Sequence, residues 1–531
     1  MLKKICFILL LFVAYNQQIV HCKENAFASP TNTSIEKSHF LHTVERGETV
    51  YAISVMYNVS VESIYELNPG SKEVIKPGET LRIPQKSQKI IFHTILPKET
   101  LYAVSKKYNI RGEDILSENP GLSVQTFTIG KTILIPIYKE QSIGASGKTM
   151  ADESESKINA LLKEKPQIKN VARVEIALIL PFGTIDTELA SQSHVQRFVE
   201  YYEGFLMALD SLKRTGVSVK LHVFDSGYKI GSLKSVLEKR ELNDVHLIVG
   251  GFSEEQISAL SLFAKARGIR YVIPFTSKNS DVMNNPFLFQ SNPPQSYLYS
   301  TVSIAFTSKY AGNNIIFIDM GSGSDKEELV QMMKTDLKTK NSSFKNILYN
   351  ADTFNNELKN NIEVGSQNII AISSGTSEAL ARVITPLRKM REAGEANNVR
   401  LFGYPEWQTY IKDYIDDFFA FNTCIYSVFF ANNTDTDLKN FYFQFRKWYS
   451  KTTINSYPKY ALLGYDTGLY FIQMIHRYGA EFENSLNKLK YESLQTGYRF
   501  QRTNNWGGFI NMNVFWIEYQ SDYSINRTEI R

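Results

Sequence analysis

Residue types that do chemistry are plentiful in this chain, but their spacings answer to few reactions. Gly130-Lys131-Thr132 and Gly147-Lys148-Thr149 look like the end of a phosphate-binding loop. Neither has the Gly five positions before its Gly-Lys that such a loop needs, and neither follows a suitable strand. The eight histidines are scattered, with no His-Glu-x-x-His pattern and no cysteine cluster for zinc. Glu254 and Glu255 are adjacent at a predicted helix start, so they do not face each other across a substrate. Gly321-Ser322-Gly323-Ser324 follows a strand but reads as a flexible loop, and no Gly-x-Ser-x-Gly elbow is present. The sequence predicts no enzyme, no metal and no cofactor.

What does recur at fixed spacing is a set of turn-forming and polar residues. His42-Thr43 returns 51 positions later as His93-Thr94. The same shift maps Glu48-Thr49-Val50-Tyr51-Ala52 onto Glu99-Thr100-Leu101-Tyr102-Ala103, and Tyr57-Asn58-Val59 onto Tyr108-Asn109-Ile110. It also maps Asn68-Pro69-Gly70 onto Asn119-Pro120-Gly121, and one insertion then aligns Gly78 to Pro84 with Gly130 to Pro136. Each copy has the pattern strand, helix, helix, strand, with apolar faces at Val50, Ile53 and Tyr57 and again at Val61, Ile64 and Tyr65. Thr49 is placed to cap the first helix, and Asn68-Pro69-Gly70 to stop the second.

At these residues the repeat resembles the LysM family: the His-Thr-Val strand, the Gly-Glu-Thr-Val turn, the Tyr-Asn-Val segment, the Asn-Pro stop and the closing Leu-Arg-Ile-Pro. The resemblance implies a shallow groove for glycans containing N-acetylglucosamine, as in peptidoglycan. Carried onto this chain, the groove is lined by Gly47, Glu48, Thr49, Val50, Asn68, Pro69 and Ile75 in the first copy. In the second it is lined by Lys98, Glu99, Thr100, Leu101, Asn119 and Pro120. Taken singly, Gly47, Asn68 and Pro69 are more ordinarily turn builders than sugar contacts. Pro97-Lys98 replaces the Arg46-Gly47 turn, so the second copy departs from the pattern where the first keeps a flexible residue. Two weak sites on one chain raise avidity for a polymeric sugar.

These modules sit in a chain of 531 residues, too long for one core. A net charge of +5 spread over 59 basic and 54 acidic residues leaves no basic stripe, which argues against nucleic acid. Met1-Leu2-Lys3-Lys4 and the short apolar run after it read as a secretory signal, expected over residues 1–28 with Ala26-Phe27-Ala28 at the cleavage site. Export to the periplasm or cell envelope follows. Cys22 offers lipoprotein acylation as the alternative, against which the bulky His21 argues. Cys424 lies in an apolar run and reads as a buried core residue. The expected organisation is module 1 over 40–85, module 2 over 91–137, a polar linker over 138–172 and a large domain over 173–531.

In that last region apolar runs ending in Gly, Pro or Asp alternate with amphipathic helices, the mark of βαβ units and a largely parallel sheet. Strands are expected at 175–180, 217–224, 246–249, 270–273, 314–318, 368–372, 399–402 and 423–430, with a long helix near 195–212. Eight strands exceed one comfortable core, so an α/β bilobed domain with a cleft is the better solution. The aromatic tail with Trp506, Phe515 and Trp516 is expected to pack in a sheet.

Three segments resemble the type I periplasmic binding protein fold of branched-chain amino acid receptors. They are Ile248 to Glu255 with Pro274-Phe275-Thr276-Ser277, the strand ending Leu180-Pro181-Phe182-Gly183, and Gly464-Tyr465-Asp466-Thr467. The resemblance implies that Ser253, Thr276 and Ser277 hold a small ligand such as an amino acid by its carboxylate, with Phe182 and Tyr404 as walls. Ser253 ahead of Glu254-Glu255-Gln256 also has the form of a helix N-cap, its commoner role. The family includes members without a small ligand that regulate cell-wall synthases, so cell-wall enzymes stand as the alternative partners.

Overall fold

The structure, a computed structural model, describes residues 39–530 apart from 73–74, 86–88, 138–153, 164–170, 190, 397 and 487. The signal expected over 1–28, with Cys22, lies outside the described residues, as does most of the 138–172 segment.

Module 1 runs β1 (His39–Thr43), α1 (Val50–Tyr57), α2 (Val61–Leu67) and β2 (Thr80–Pro84), and module 2 repeats it as β3 (Ile90–Thr94), α3 (Leu101–Tyr108), α4 (Gly112–Glu118) and β4 (Thr132–Pro136). In each the two strands pair with one another. The Thr49 and Thr100 hydroxyls cap α1 and α3, each accepting from the N–H three residues on at 3.1 Å. Ile53, Ile64 and Ile83 are sealed inside the first module, and Val104, Ile115 and Ile135 inside the second. Neither core is complete alone. Phe40 stacks on Phe92 across the module boundary at 5.1 Å, and Leu134 of module 2 belongs to the apolar cluster of module 1. Within the 138–172 segment, α5 (Glu155–Leu161) packs Ile158 into the core of module 2, and the Asn159 side chain accepts the Tyr102 N–H.

The large domain forms two seven-stranded sheets among the described residues. Lobe 1 orders its strands β15 (Phe500–Arg502), β16 (Phe509–Asn511), β9 (Leu288–Gln290), β8 (Arg270–Ile273), β7 (Leu247–Gly250), β5 (Val174–Leu180) and β6 (Val219–Asp225). All pair in parallel except β15 with β16. Lobe 2 orders β11 (Lys345–Leu348), β10 (Asn314–Asp319), β12 (Asn368–Ile372), β13 (Val399–Gly403), β14 (Cys424–Ser427), β17 (Phe515–Tyr519) and β18 (Ile525–Glu529). Of these only β17 is reversed, pairing antiparallel with both β14 and β18. The chain crosses between lobes after β9, after β14 and after β16. This is the bilobed α/β architecture expected from the sequence. Every expected strand is present within a few residues. The unforeseen ones are short (β9, β11) or lie in the aromatic tail, whose even apolar content hides the alternation of a strand.

Two helices fix lobe 1, α6 (Gln192–Arg214) and α15 (Tyr460–Tyr478). They lie so close that a Cβ on Gly204 would fall 1.8 Å from the Ala461 carbonyl oxygen, and one on Gly464 1.9 Å from that of Tyr201. Beside this crossing, the buried Asp466 carboxylate accepts the N–H groups of Leu494, Gln495 and Thr496 at 2.9, 2.8 and 2.7 Å. Burial outweighs those donors and pushes its carboxyl up to about 6.

Gly464→Ala is expected to lower stability by about 1–3 kcal/mol, since the helices must part to admit a methyl group; urea unfolding reads this, and an unchanged midpoint would contradict the close crossing. Asp466 titrates higher in the folded than in the unfolded chain, so its contribution is present at low pH and lost as pH rises from about 4 through 6. The stability difference between wild type and Asp466→Asn is expected to move against wild type by roughly 3 kcal/mol over that window. A pH-independent difference would show that Asp466 does not titrate there.

Candidate functional site

The first turns of the two modules are built alike. His42 donates from Nε2 to Glu48 Oε2 at 2.8 Å and accepts at Nδ1 from the Tyr57 hydroxyl at 2.8 Å. The same Glu48 oxygen accepts the Glu45 N–H at 2.7 Å, which closes the turn. Module 2 repeats this with His93, Glu99, Tyr108 and the Leu96 N–H at 2.8, 3.0 and 2.8 Å. Burial pushes the His93 imidazole below its usual value, so the ring is neutral at pH 7 and the Tyr–His–Glu chain is one of hydrogen bonds. Sequence reading did not single out this triad; the signal for it is the identical offset of six and fifteen residues from the histidine in both copies.

Several residues expected beside the sugar are engaged in the module instead. Thr49 and Thr100 spend their hydroxyls on helix caps, and Val50 and Leu101 are buried in the cores. Asn68 donates its amide to the carbonyls of Ile64 and Arg82 and accepts the Arg82 N–H, all at 2.8 Å. Asn119 makes the same three bonds to Ile115 and Leu134 and is wholly buried. These two side chains tie the second helix to the last strand; Asn119 is buried away from any ligand, whereas Asn68 stays half-buried at the surface. Open to solvent at the turns are Pro69, Lys98 and Pro120, with Gly47 and Ile75 half-buried. The second turn keeps the backbone of the first: Gly47 has φ 89° and Lys98 φ 69°. A lysine therefore holds the left-handed conformation that a glycine takes without strain.

The modules dock on the large domain through the hairpin between β15 and β16. The Gly121 N–H donates to the Asn505 carbonyl at 2.7 Å, and the Asn505 amide donates to the Thr132 carbonyl at 3.2 Å. Trp506 is buried against Tyr57 and Phe92, with ring centroids 6.1 and 5.8 Å away. It was expected to pack in a sheet; it fills the junction of three units instead. On the other flank, Ala52 and Val55 of module 1 join the apolar cluster of lobe 1 with Tyr297, and Arg46 donates to Asp336 of lobe 2 at 3.3 Å.

In the large domain, Phe182, Ser253 and Thr276-Ser277 stand just beyond β5, β7 and β8, which are neighbours in the sheet. The fold thus brings them to one edge. Ser253 caps α8 (Glu254–Arg267), accepting the Gln256 N–H at 3.3 Å, and the Thr276 hydroxyl accepts the Lys278 N–H at 3.0 Å. Ser277 beside it is half-buried. Phe252 and Phe275, their sequence neighbours, pack edge-on against Phe198 at 6.0 and 5.2 Å, and Phe275 stacks on Tyr460 at 5.6 Å. Phe182 meets Tyr202 edge-on at 5.6 Å.

Tyr404 is no wall: it is 0% exposed, with its ring among Phe402, Trp407 and Tyr426 and its hydroxyl donating to the Ile372 carbonyl. The polar centre of the lobe 2 strand ends is Lys326, whose ammonium lies 2.6 Å from Glu406, 3.3 Å from Asp325 and 3.0 Å from the Gln295 side-chain oxygen. Sequence reading missed it because Asp325-Lys326-Glu327-Glu328 looks like any charged helix start. Among the described residues no group of three or more His, Cys, Asp or Glu could hold a metal ion, and the lone described cysteine, Cys424, is buried with its thiol pushed up by that burial.

Residues 42–84 and 93–136 match the LysM domain. The chain is 32% identical over 97 residues to the protein named "Putative sporulation-specific glycosylase YdhD" of Bacillus subtilis. That match covers 18% of this chain and 22% of the Bacillus protein, so the chain spans about a fifth of the length of this curated relative. Solved structures similar to this chain include a branched-chain amino acid ABC transporter periplasmic ligand-binding protein from Burkholderia xenovorans, at 14% identity and a TM-score of 0.43 over 67% of this chain and 95% of that one. An ABC transporter substrate-binding protein from Desulfitobacterium hafniense in complex with Leu is also 14% identical, with a TM-score of 0.40 over 67% of this chain and 100% of that one.

Because Lys98 occupies the left-handed turn position of the second LysM domain, Lys98→Gly is expected to stabilise that domain by about 1 kcal/mol. Amide hydrogen exchange of the α3 and β4 backbone would slow accordingly; unchanged or faster exchange would mean that the turn carries no strain.

Proposed function

We propose that this is a non-enzymatic protein of the cell envelope that holds peptidoglycan, through N-acetylglucosamine-containing glycan, by its two LysM domains. The observation that carries this reading is the repetition of the whole LysM pattern, with the same turn backbone and the same His–Glu–Tyr support in both copies. Pro69, Ile75 and Pro120, with the backbone of the Gly47 and Lys98 turns, are the groups through which the sugar is met. The signal-like start of the chain supports export, with Cys22 as an acylation site if the cleavage lies before it. No described helix is long and apolar enough to cross a membrane.

For the bilobed domain two readings compete. One places a small ligand such as an amino acid beside Ser253, Thr276, Ser277 and Phe182, which stand at the ends of adjacent strands. The other makes the domain an interaction surface for cell-wall synthesis machinery, with no small ligand. On the lobe 2 side the charges are already paired within the chain, Lys326 with Glu406 and Asp325, which accords with the second reading.

The full chain is expected to cosediment with purified peptidoglycan and to be released by soluble N-acetylglucosamine oligomers; absence of retention would overturn the glycan reading. Thermal unfolding in the presence of the common amino acids separates the two readings of the bilobed domain, because a ligand of the native state raises the melting temperature. A raised value would restore the small-ligand reading.

A further inference from the structure

The docking of the LysM domains creates concave space that belongs to neither domain alone. A groove of about 850 Å³ runs between module 1, module 2 and lobe 1, within the size range of ligand pockets. Its floor includes Phe92 and Trp506; its rim includes Asn58 of module 1, Ser117 and Pro120 of module 2, and Asn284 of lobe 1. On the other side of Trp506 lies a smaller cavity of about 220 Å³, reached by Glu48, Gly121 and Asn504. Trp506 walls both, and each cavity is continuous with a LysM turn: Glu48 and Gly121 in one, Pro120 in the other.

The chemistry of the larger groove selects a ligand class. Glu118 and Lys265 are its two charged groups and cancel in sign, and Lys265 already donates to the Asn284 carbonyl at 2.6 Å. A polyanion finds no net positive charge there. What the groove offers is apolar and aromatic floor beneath amide and hydroxyl groups, the complement of a neutral chain with apolar ring faces, hydroxyls and amides. An N-acetylated sugar chain is such a molecule.

We propose that the groove over Trp506 is a composite glycan subsite, so that a strand held at the Pro120 turn continues between the LysM domains and lobe 1. The proposal rests on the glycan reading above and extends it to residues of the large domain. Its sugar contacts are Asn58, Ser117 and Asn284 on the rim and Phe92 and Trp506 on the floor. Full glycan affinity then requires the docked arrangement, not the LysM domains by themselves.

The test is isothermal titration of the full chain with the tetramer of N-acetylglucosamine. Asn58, Ser117 and Asn284 are exposed, so Ser117→Arg and Asn284→Arg fill the groove with little effect on folding, which thermal unfolding verifies. Each is expected to weaken tetramer binding by about tenfold, with Asn284→Gln retaining it. If wild type binds and both arginine variants bind equally well, the composite subsite is overturned while the glycan reading stands. If wild type binds no oligomer, the glycan reading falls and the subsite with it.

Discussion

The burial of Trp506 is the constraint on which the placement of the other parts depends. The aromatic surface left by Phe40, Tyr57 and Phe92 is closed by an indole from a hairpin more than 360 residues further along the chain. Truncating a buried tryptophan costs about 3–5 kcal/mol, a sizeable share of the stability of a domain this size. The hydrogen bond from Gly121 to Asn505 adds direction, because a backbone pair fixes the angle at which the hairpin meets module 2. Together they join two LysM domains and a bilobed domain within one compact unit.

The same economy of shape recurs inside lobe 1. Gly204 and Gly464 let α6 and α15 cross with backbone against side-chain-free backbone, which brings a helix that follows the lobe 2 strands back onto lobe 1. Next to that crossing Asp466 satisfies three amides of the 494–496 turn, from which the chain proceeds to β15 and the Trp506 hairpin. The position of the indole is therefore set by a run of contacts that begins deep in the lobe.

How much of this the sequence disclosed follows from the reach of its signals. The two βααβ modules, the alternation of strand and helix and the bilobed arrangement all rest on local periodicity, and they were readable. The turn residues were readable too, but not their employment: Asn68 and Asn119 look like groove amides until the three bonds each makes to its own module are seen. Tyr404, Lys326 and Trp506 were misplaced or missed for a different reason. What they touch is far away in sequence: Gly375 and Glu406 for Lys326 and its neighbours, Tyr57 and Phe92 for Trp506. No window along the chain contains both halves of such a contact.

Module 1 touches both lobes, and it does so unequally. Ala52 is buried in the apolar cluster of lobe 1, whereas Arg46 reaches Asp336 of lobe 2 through an exposed ion pair of the kind worth about 0–1 kcal/mol. A tensile load applied to the modules would thus enter the large domain on either side of the junction between its lobes. The ionic contact yields first and the apolar one holds, so strain is relieved on lobe 2 before the anchor on lobe 1 is disturbed.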